Sequence, residues 1–213
     1  MYDLHTHTTI SDGELIPTEL VRRAAVLGYK TLAITDHVDA SNISEAIKGI
    51  NAIKISAGHY GVRLLSGVEI THVPPKEIAE LAKRARNEGA DIVVVHGETV
   101  VEPVCPGTNM AACRCSDVDI LAHPGLLTEE EACEARINNV ALEITSRGGH
   151  NRTNGHVYRV AKVSGCNILV NSDTHGPDDL MTETARKSVA IGCGMTPGEA
   201  ENILSDKALD HFR

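Results

Sequence analysis

Histidines and acidic residues stand at, or just after, the ends of short apolar segments that we predict to be β-strands. These residues are His5, His7, His37, Glu69, His96, His123, Asp173 and His175. In parallel α/β folds, ligands bind at the carboxyl ends of the strands, so we expect these side chains to meet in one pocket. Imidazole and carboxylate donors together suit Zn, Mn or Fe better than Mg or Ca. The pattern predicts a site for more than one divalent metal ion.

Two of these segments carry donors two residues apart. Alternate side chains of an extended strand point to the same side, so His5 and His7 can reach one cation, and Asp173 and His175 share that spacing. Glu69 offers two oxygens and can bridge two cations about 3.5–4 Å apart, an arrangement suited to phosphoryl chemistry. A lone histidine at a strand end is more often a hydrogen-bonding loop residue, so the prediction depends on the joint pattern.

Apolar segments alternate with segments of helical spacing along the chain. The predicted strands cover residues 2–5, 31–35, 62–68, 92–95, 118–122, 140–144 and 168–170, with one more at 189–191. The predicted helices cover 17–27, 44–57, 76–87, 154–163 and 197–204, the last with Thr196 as its N-cap. Such alternation implies parallel strands with right-handed crossovers, in a barrel or an open sheet. We predict one α/β domain over residues 1–213, with the irregular stretch 97–116 as a loop that covers the site.

Composition narrows the class of protein. Hydrophobic residues make up 42% of the chain but aromatic residues only 2%, so the core must be built from Ile, Val, Leu and Ala, as in a buried parallel sheet. The formal charge of -9 argues against nucleic acid as the main partner. No apolar segment approaches the roughly 20 residues that span a bilayer, and we see no signal peptide, so we expect a cytoplasmic protein without a membrane partner. The six cysteines form no CxxC pair, and we expect free thiols.

Six short motifs resemble, in their order, those of the PHP (polymerase and histidinol phosphatase) family. They are Asp3-Leu4-His5-Thr6-His7-Thr8 with Ser11-Asp12-Gly13, Thr35-Asp36-His37, Gly67-Val68-Glu69, Val95-His96-Gly97, Ala122-His123-Pro124-Gly125 and Ser172-Asp173-Thr174-His175. The resemblance covers nearly the whole chain. It implies a distorted (β/α)7 TIM-like barrel, in a single domain, with a three-metal site.

The resemblance also implies a set of ligands for each metal. These sets are His5, His7, Glu69 and Asp173 for the first ion, Glu69, His96 and His123 for the second, and Asp12, His37 and His175 for the third. Many relatives have a histidine near the position of Asp12, and the alternative for Asp12-Gly13 is a plain turn.

For the reaction, we expect a hydroxide that bridges the cations to attack phosphorus, since cations lower the pKa of bound water. His37 and His175 would act by holding the third ion, which neutralises the non-bridging phosphate oxygens. Asp173 or His175 would pass a proton to the leaving group.

Phosphate oxygens need cationic or N–H donors, and the planar fork of arginine suits them. Arg147 follows the predicted strand 140–144 and is the first candidate; His150, Asn151 and Arg152 are further candidates for substrate contact. The alternative for these four is an exposed loop. Glu143 is a candidate support for a metal ligand. Four other histidines are expected to be structural: His59, His72, His156 and His211.

The predicted activity is that of a metal-dependent phosphomonoesterase acting on a small phosphorylated metabolite, with histidinol phosphate the first substrate to try. One alternative is a phosphodiesterase or exonuclease acting on nucleotides or nucleic-acid ends. Another is a non-catalytic barrel that serves as an RNA-binding or scaffold subunit. Because an inactive relative is expected to lose ligands and every ligand position here is filled, the catalytic hypothesis is preferred.

Overall fold

Parallel strands form a nearly closed barrel in this computed structural model, which describes residues 1–205 and Leu209. The strands are β1 (Tyr2–Asp3), β2 (Thr31–Ile34), β3 (His37–Val38), β4 (Arg63–Ile70), β5 (Ile92–His96), β6 (Ile120–Ala122), β7 (Ala141–Thr145) and β8 (Ile168–Asn171). Of the predicted domain, residues 206–208 and 210–213, with His211 among them, lie outside the described residues.

The eight strands occupy seven positions around the barrel, because β2 and β3 share one position. β2 pairs with the first half of β4, and β3 pairs with the second half of β4. β3 therefore continues the line of β2. The order is then β1, β2, β4, β5, β6, β7 and β8, all parallel. A parallel β-bridge between Thr6, which follows β1, and Thr174, which follows β8, joins the first strand of this order to the last. The predicted (β/α)7 barrel is confirmed, and the open sheet is excluded.

Helices follow most of the strands and cover the outside of the barrel. They are α1 (Pro17–Val26), α2 (Ile43–Asn51), α3 (Lys54–His59), α4 (Ile78–Asn87), α5 (Thr108–Cys113), α6 (Glu129–Ile137), α7 (Asn154–Ser164), α8 (Glu183–Gly192) and α9 (Pro197–Leu204). Among the described residues, none of these helices is both long enough and apolar enough to cross a bilayer.

Some predicted elements differ from those observed. Residues 189–191, predicted as a strand, lie in α8. The N-cap of α8 is Thr182, whose side-chain oxygen accepts a hydrogen bond from the Ala185 amide. The predicted helix 44–57 is divided into α2 and α3, with Gly49 and Asn51, both weak helix formers, in the last turn of α2. The stretch 97–116 contains α5, and α6 was not predicted. Thr196 caps α9 as predicted, in a reciprocal capping box with Glu199.

The barrel interior changes from apolar to polar along the strands. In β5, Ile92 and Val94 pack inside the barrel while Val93 and Val95 pack against the helices, so the period of two places His96 inside, above Val94. The same alternation places Glu69 above Leu65 in β4. The apolar interior therefore supports a polar layer at the carboxyl end of the strands.

Gly125 joins the loops after β5 and β6. Its φ is +63°, and a Cβ at this position would overlap the carbonyl oxygen of Glu98. Gly125→Ala is expected to destabilise the fold by about 1–3 kcal/mol, as measured by denaturant unfolding. The matched control is Gly58→Ala, because a Cβ there meets nothing within 4 Å. A Gly125→Ala protein as stable as the parent would contradict this account of the two loops.

Candidate metal centre

The structure gathers all the strand-end residues into one cluster at the carboxyl end of the barrel. Six of them are buried, with at most 4% of their surface exposed: His5, His7, Glu69, His96, His123 and Asp173. His37 and His175 are partly exposed at the mouth. Within the cluster, several sets of three or four donor atoms lie close enough together to hold a metal ion.

His5, His7, Glu69 and Asp173 surround the deepest point. His5 Nε2 and His7 Nε2 are 3.1 Å apart, and they lie 3.3 and 3.5 Å from Glu69 Oε2. Asp173 Oδ1 lies 3.7 Å from His5 Nε2 and 3.3 Å from His7 Nε2. Tetrahedral donors about 2.0–2.1 Å from a zinc ion lie about 3.3 Å from one another. The donor atoms of His5, His7 and Glu69 are therefore spaced like ligands of one ion, and Asp173 Oδ1 lies beside both histidines.

Glu69 also faces a second group. Its Oε1 lies 3.6 Å from His123 Nε2, and the donor atoms of Glu69, His96 and His123 lie within 4.8 Å of one another. One carboxylate oxygen thus faces each group, which is the geometry of a bridging ligand.

Asp12 lies beside His37 and His175 at the mouth. Its Oδ1 is 3.6 Å from His37 Nε2 and 3.4 Å from His175 Nε2, although 58% of its side chain is exposed. Of the two alternatives for Asp12-Gly13, the geometry supports a third donor group over a plain turn.

The loop that carries Asp12 is held by Asp36, a residue whose role the sequence did not reveal. Asp36 accepts hydrogen bonds from the amides of Thr8 and Ser11 and from both of their hydroxyls, at 2.7–3.2 Å. Gly13 completes the turn, because a Cβ there would lie 2.6 Å from the His7 carbonyl group. Asp36 therefore positions Asp12 without contacting the cluster itself.

Hydrogen bonds at Nδ1 orient four of the imidazoles. His5 donates to Glu143 Oε1 at 2.8 Å, His96 to Gly97 O at 3.1 Å and His175 to Asp173 O at 3.0 Å. His37 donates to the Thr71 hydroxyl, which in turn donates to Glu69 O. Each Nε2 is thereby turned toward the cluster, as in histidines that bind metal ions.

Several buried polar atoms in the cluster lack hydrogen-bond partners among the described residues. They include Asp173 Oδ1, Nδ1 of His7 and of His123, and both carboxylate oxygens of Glu69, although Oε2 lies 2.8 Å from His37 Nδ1 as an ion pair. An unpaired buried acceptor is costly, and a buried charge more so. The donor set therefore fits divalent cations, which would satisfy these oxygens.

Charge in the cation-free cluster is unevenly distributed. Burial disfavours the imidazolium of His5, but Glu143, Glu69 and Asp173 outweigh burial and raise its pKa well above the ordinary value. For His37, the attraction of Glu69 and Asp12 outweighs burial and raises the pKa to about 9. Burial disfavours the Glu69 carboxylate, yet His5 and His37 hold its pKa well below the ordinary value. At neutral pH, His5 and His37 are therefore protonated and face ionised carboxylates.

Cation binding is expected to release protons, because a metal ligand must give up its proton. The raised pKa values of His5 and His37 mean that about two protons should leave near pH 7, and that metal affinity should rise with pH. Above the His37 pKa of about 9, its share of the release should vanish. Calorimetry of zinc binding in buffers of different ionisation enthalpy measures the release. A pH-independent affinity with no proton release would contradict this charge distribution.

Left-handed backbone conformations concentrate at the cluster. Among the described residues, the non-glycine residues with positive φ are His72, His123, Asn139 and Asp173. Such conformations are uncommon for non-glycine residues and cluster at functional sites, where the surrounding structure must hold them. Three of the four border the same cavity.

A cavity of about 360 Å³ opens from the cluster to solvent. Arg147 and His150 line it, and Arg147 Nη1 lies 3.2 Å from Asp179 Oδ2. Asn151 and Arg152 are exposed and do not line this cavity. Their contact with substrate stays a prediction.

Three further residues belong to the site. Glu143, expected to support a ligand, is fully buried: it accepts hydrogen bonds from His5 and Asn171 at Oε1 and from the His123 amide at Oε2. His72, expected to be structural, lines the cavity. Glu102, which the sequence did not single out, lies 3.2 Å from His96 Nε2. It lies in the stretch 97–116, which the sequence predicted to cover the site, and it lines the cavity.

Three similarities place the chain among known proteins. A protein of uncharacterised function from Methanocaldococcus jannaschii is 51% identical over 205 residues, which is 95% of this chain and 94% of that protein. A 5'-3' exoribonuclease from Haemophilus influenzae is 47% identical over 70 residues, or 33% of this chain and 23% of the exoribonuclease. This second match therefore spans less than a quarter of that enzyme's length.

The third similarity is to the crystal structure of a histidinol phosphate phosphatase from Lactococcus lactis, in complex with zinc, L-histidinol and phosphate. Its TM-score is 0.63 at 16% identity, over 92% of this chain and 94% of that chain. The likeness shows a shared barrel fold, in agreement with the fold that the PHP-like motifs imply.

The family itself follows from a match to a family model. The model described as RNase P subunit p30 matches residues 1–149, which is more than half of the chain. The matching family is thus not the PHP family that the motifs resemble, although the fold is shared with PHP-like enzymes. This chain belongs to the RNase P subunit p30 family.

Proposed function

We propose that this chain is a metal-dependent hydrolase of phosphate esters. The observation that carries the proposal is the cluster of imidazoles and carboxylates, with the unpaired oxygens of Glu69 and Asp173 at its centre. Two or three cations, of Zn, Mn or Fe, would be held as the PHP resemblance implies, with Glu69 between the first and second. The histidinol phosphate phosphatase of the same fold was crystallised with zinc and phosphate.

The cations would lower the pKa of bound water and neutralise phosphate oxygens. His37, His175 and Asp12 would hold the ion nearest the mouth, where the substrate enters. Arg147 lies at the wall of the same cavity and binds a phosphate oxygen, with Asp179 orienting its guanidinium. Asp173 and His175 both line the cavity and are the candidates for passing a proton to the leaving group.

A small monoester is the substrate class that the cavity favours. Arg147 is the only lysine or arginine among the described residues that line the cavity, and Asp12 and Glu102 are also in the wall. A nucleic-acid backbone would need several cationic contacts along its path. Phosphate esters of small metabolites, histidinol phosphate among them, are therefore proposed ahead of nucleotide diesters and RNA ends.

A phosphate-release assay of metal-loaded protein tests this proposal. The substrates are p-nitrophenyl phosphate, bis-p-nitrophenyl phosphate, a 5'-phosphorylated oligoribonucleotide and a panel of phosphorylated metabolites that includes histidinol phosphate. We expect turnover of monoesters that is lost on chelation and restored by added metal. Absorbance of p-nitrophenol follows cleavage of the diester, and chromatography of released mononucleotides follows cleavage of the oligoribonucleotide. Faster cleavage of either diester bond would instead favour the exonuclease alternative, in keeping with the exoribonuclease relative.

A second candidate function is that of a non-catalytic subunit of an RNA-processing complex, which the RNase P subunit p30 family match favours. It predicts RNA binding that is unchanged by chelation, and no turnover of any phosphate ester. Measuring RNA binding with and without chelator in parallel with the phosphate-release assay separates the two candidates.

A further inference from the structure

Glu102 brings three histidines together at the mouth of the cavity: His72, His150 and His96, the last of which also belongs to the inner cluster. Its Oε2 lies 3.2 Å from His96 Nε2 and 3.4 Å from His72 Nε2, and its Oε1 lies 3.4 Å from His150 Nε2. Among the described residues, these histidines are its ion-pair partners, with no lysine or arginine within 4 Å. The four residues come from four separate segments of the chain, so only the tertiary fold assembles them.

Contacts at Nδ1 fix the orientation of the His96 and His150 rings. His96 Nδ1 donates to Gly97 O, so its Nε2 presents a lone pair to Glu102. His150 Nδ1 lies 2.8 Å from the Thr99 hydroxyl, which leaves Nε2 to face Oε1 of Glu102. A lone pair and a carboxylate oxygen 3.2 Å apart repel each other unless a proton or a cation lies between them.

The spacing suits a cation. Ligands of a tetrahedral zinc ion lie about 3.3 Å apart, and the separations of Glu102 Oε2 from His96 and from His72 are 3.2 and 3.4 Å. Two imidazoles and one carboxylate are a common zinc-binding set that leaves a position for water. The backbone of His72 has a φ of 54°, a conformation that is rare for a non-glycine residue.

We propose that His72, His96 and Glu102 form an outer site for a divalent transition-metal ion, at the mouth of the cavity. His96 also belongs to the inner group with Glu69 and His123. Its Nε2 has one lone pair and binds one ion at a time, so the outer and inner positions exclude each other at His96. The outer site therefore receives an ion from solvent and passes it inward at His96 Nε2, which borders both groups of donors. This inference rests on the proposed use of cations by the inner cluster.

Cobalt loading of metal-stripped protein tests the outer site. The variants are Glu102→Gln and His72→Asn, and their matched controls are Glu80→Gln and His59→Asn, at exposed positions away from the cavity. Visible absorption of bound Co²⁺ gives the number of equivalents and their affinities, and stopped-flow mixing gives the loading rate. Circular dichroism verifies that each variant is folded.

We expect the outer position to hold Co²⁺ at least about tenfold less tightly in both variants. Because this position shares His96 with the inner group and is occupied only during loading, the number of equivalents should stay as in the parent, and they should load correspondingly more slowly. The controls should match the parent. Variants with parental affinities and loading rates would overturn the outer site, while Co²⁺ binding by the parent would leave the proposed function standing. Loss of every Co²⁺ equivalent in Glu102→Gln would also overturn the outer site, because Glu102 would then be an inner ligand. A parent protein that binds no Co²⁺ would overturn the proposed function itself.

Discussion

Replacing Glu69 by glutamine is expected to remove at least one bound cation and to lower the rate of phosphate-ester hydrolysis by about a thousandfold. Glu69 is fully buried, and its oxygens lie 3.3 Å from His5 Nε2 and 3.6 Å from His123 Nε2. Glutamine keeps the shape but has no charge and only one oxygen, so it cannot bridge two cations. A loss of about 4 kcal/mol of transition-state stabilisation corresponds to that factor.

Metal content by mass spectrometry and initial rates of phosphate release measure this effect. Glu80→Gln, on the exposed face of α4, serves as the control for loss of one negative charge. If Glu69→Gln keeps its full metal content and rate, Glu69 is not at the centre of the site.

Glu143→Gln is expected to weaken both metal binding and the fold. The Glu143 side chain accepts hydrogen bonds from His5 Nδ1, Asn171 Nδ2 and the His123 amide, and it is fully buried. In glutamine, an NH₂ group would replace one acceptor and would face an N–H donor. We expect a loss of about 2–3 kcal/mol in the free energy of unfolding and metal affinity about 10–100-fold lower, because His5 loses its orienting partner.

Denaturant unfolding in chelator measures the first effect, and zinc titration measures the second. The control is Glu45→Gln, at an exposed position in α2. Unchanged unfolding and unchanged zinc affinity would mean that Glu143 does not position His5.

The parts of the fold that the sequence predicted are those with a strong local signal. In β5, a run of apolar β-branched residues ends in His96, so both the strand and the interior position of the histidine follow from period-two alternation. The helix α6 was missed because it buries only Ala132 and Ala135, which give a weak apolar periodicity. The short apolar run 189–191 was assigned to a strand because periodicity alone cannot separate a short strand from a helical segment.

At the site, sequence reasoning found residues that extend a strand and missed those placed by distant contacts. Glu69 lies near the end of β4, and His5 and Asp173 lie two residues after β1 and β8, so parallel pairing alone brings them to one end of the barrel. Glu102 reaches the cavity because neighbouring residues of its loop make contacts elsewhere in the chain. Glu98 accepts hydrogen bonds from the Gly107 and Asn109 amides, and the Thr99 hydroxyl contacts His150. Contacts between segments 50 residues apart leave no pattern in the local sequence.

Anomalous diffraction at the zinc edge, from crystals of zinc-loaded protein, tests the central claim most directly. We predict at least two anomalous peaks inside the barrel mouth, one contacting His5, His7, Glu69 and Asp173, and one between Glu69, His96 and His123. Zinc-loaded crystals with no peak among these residues, or with peaks only on the outer surface, would contradict a metal-dependent hydrolase built on this cluster.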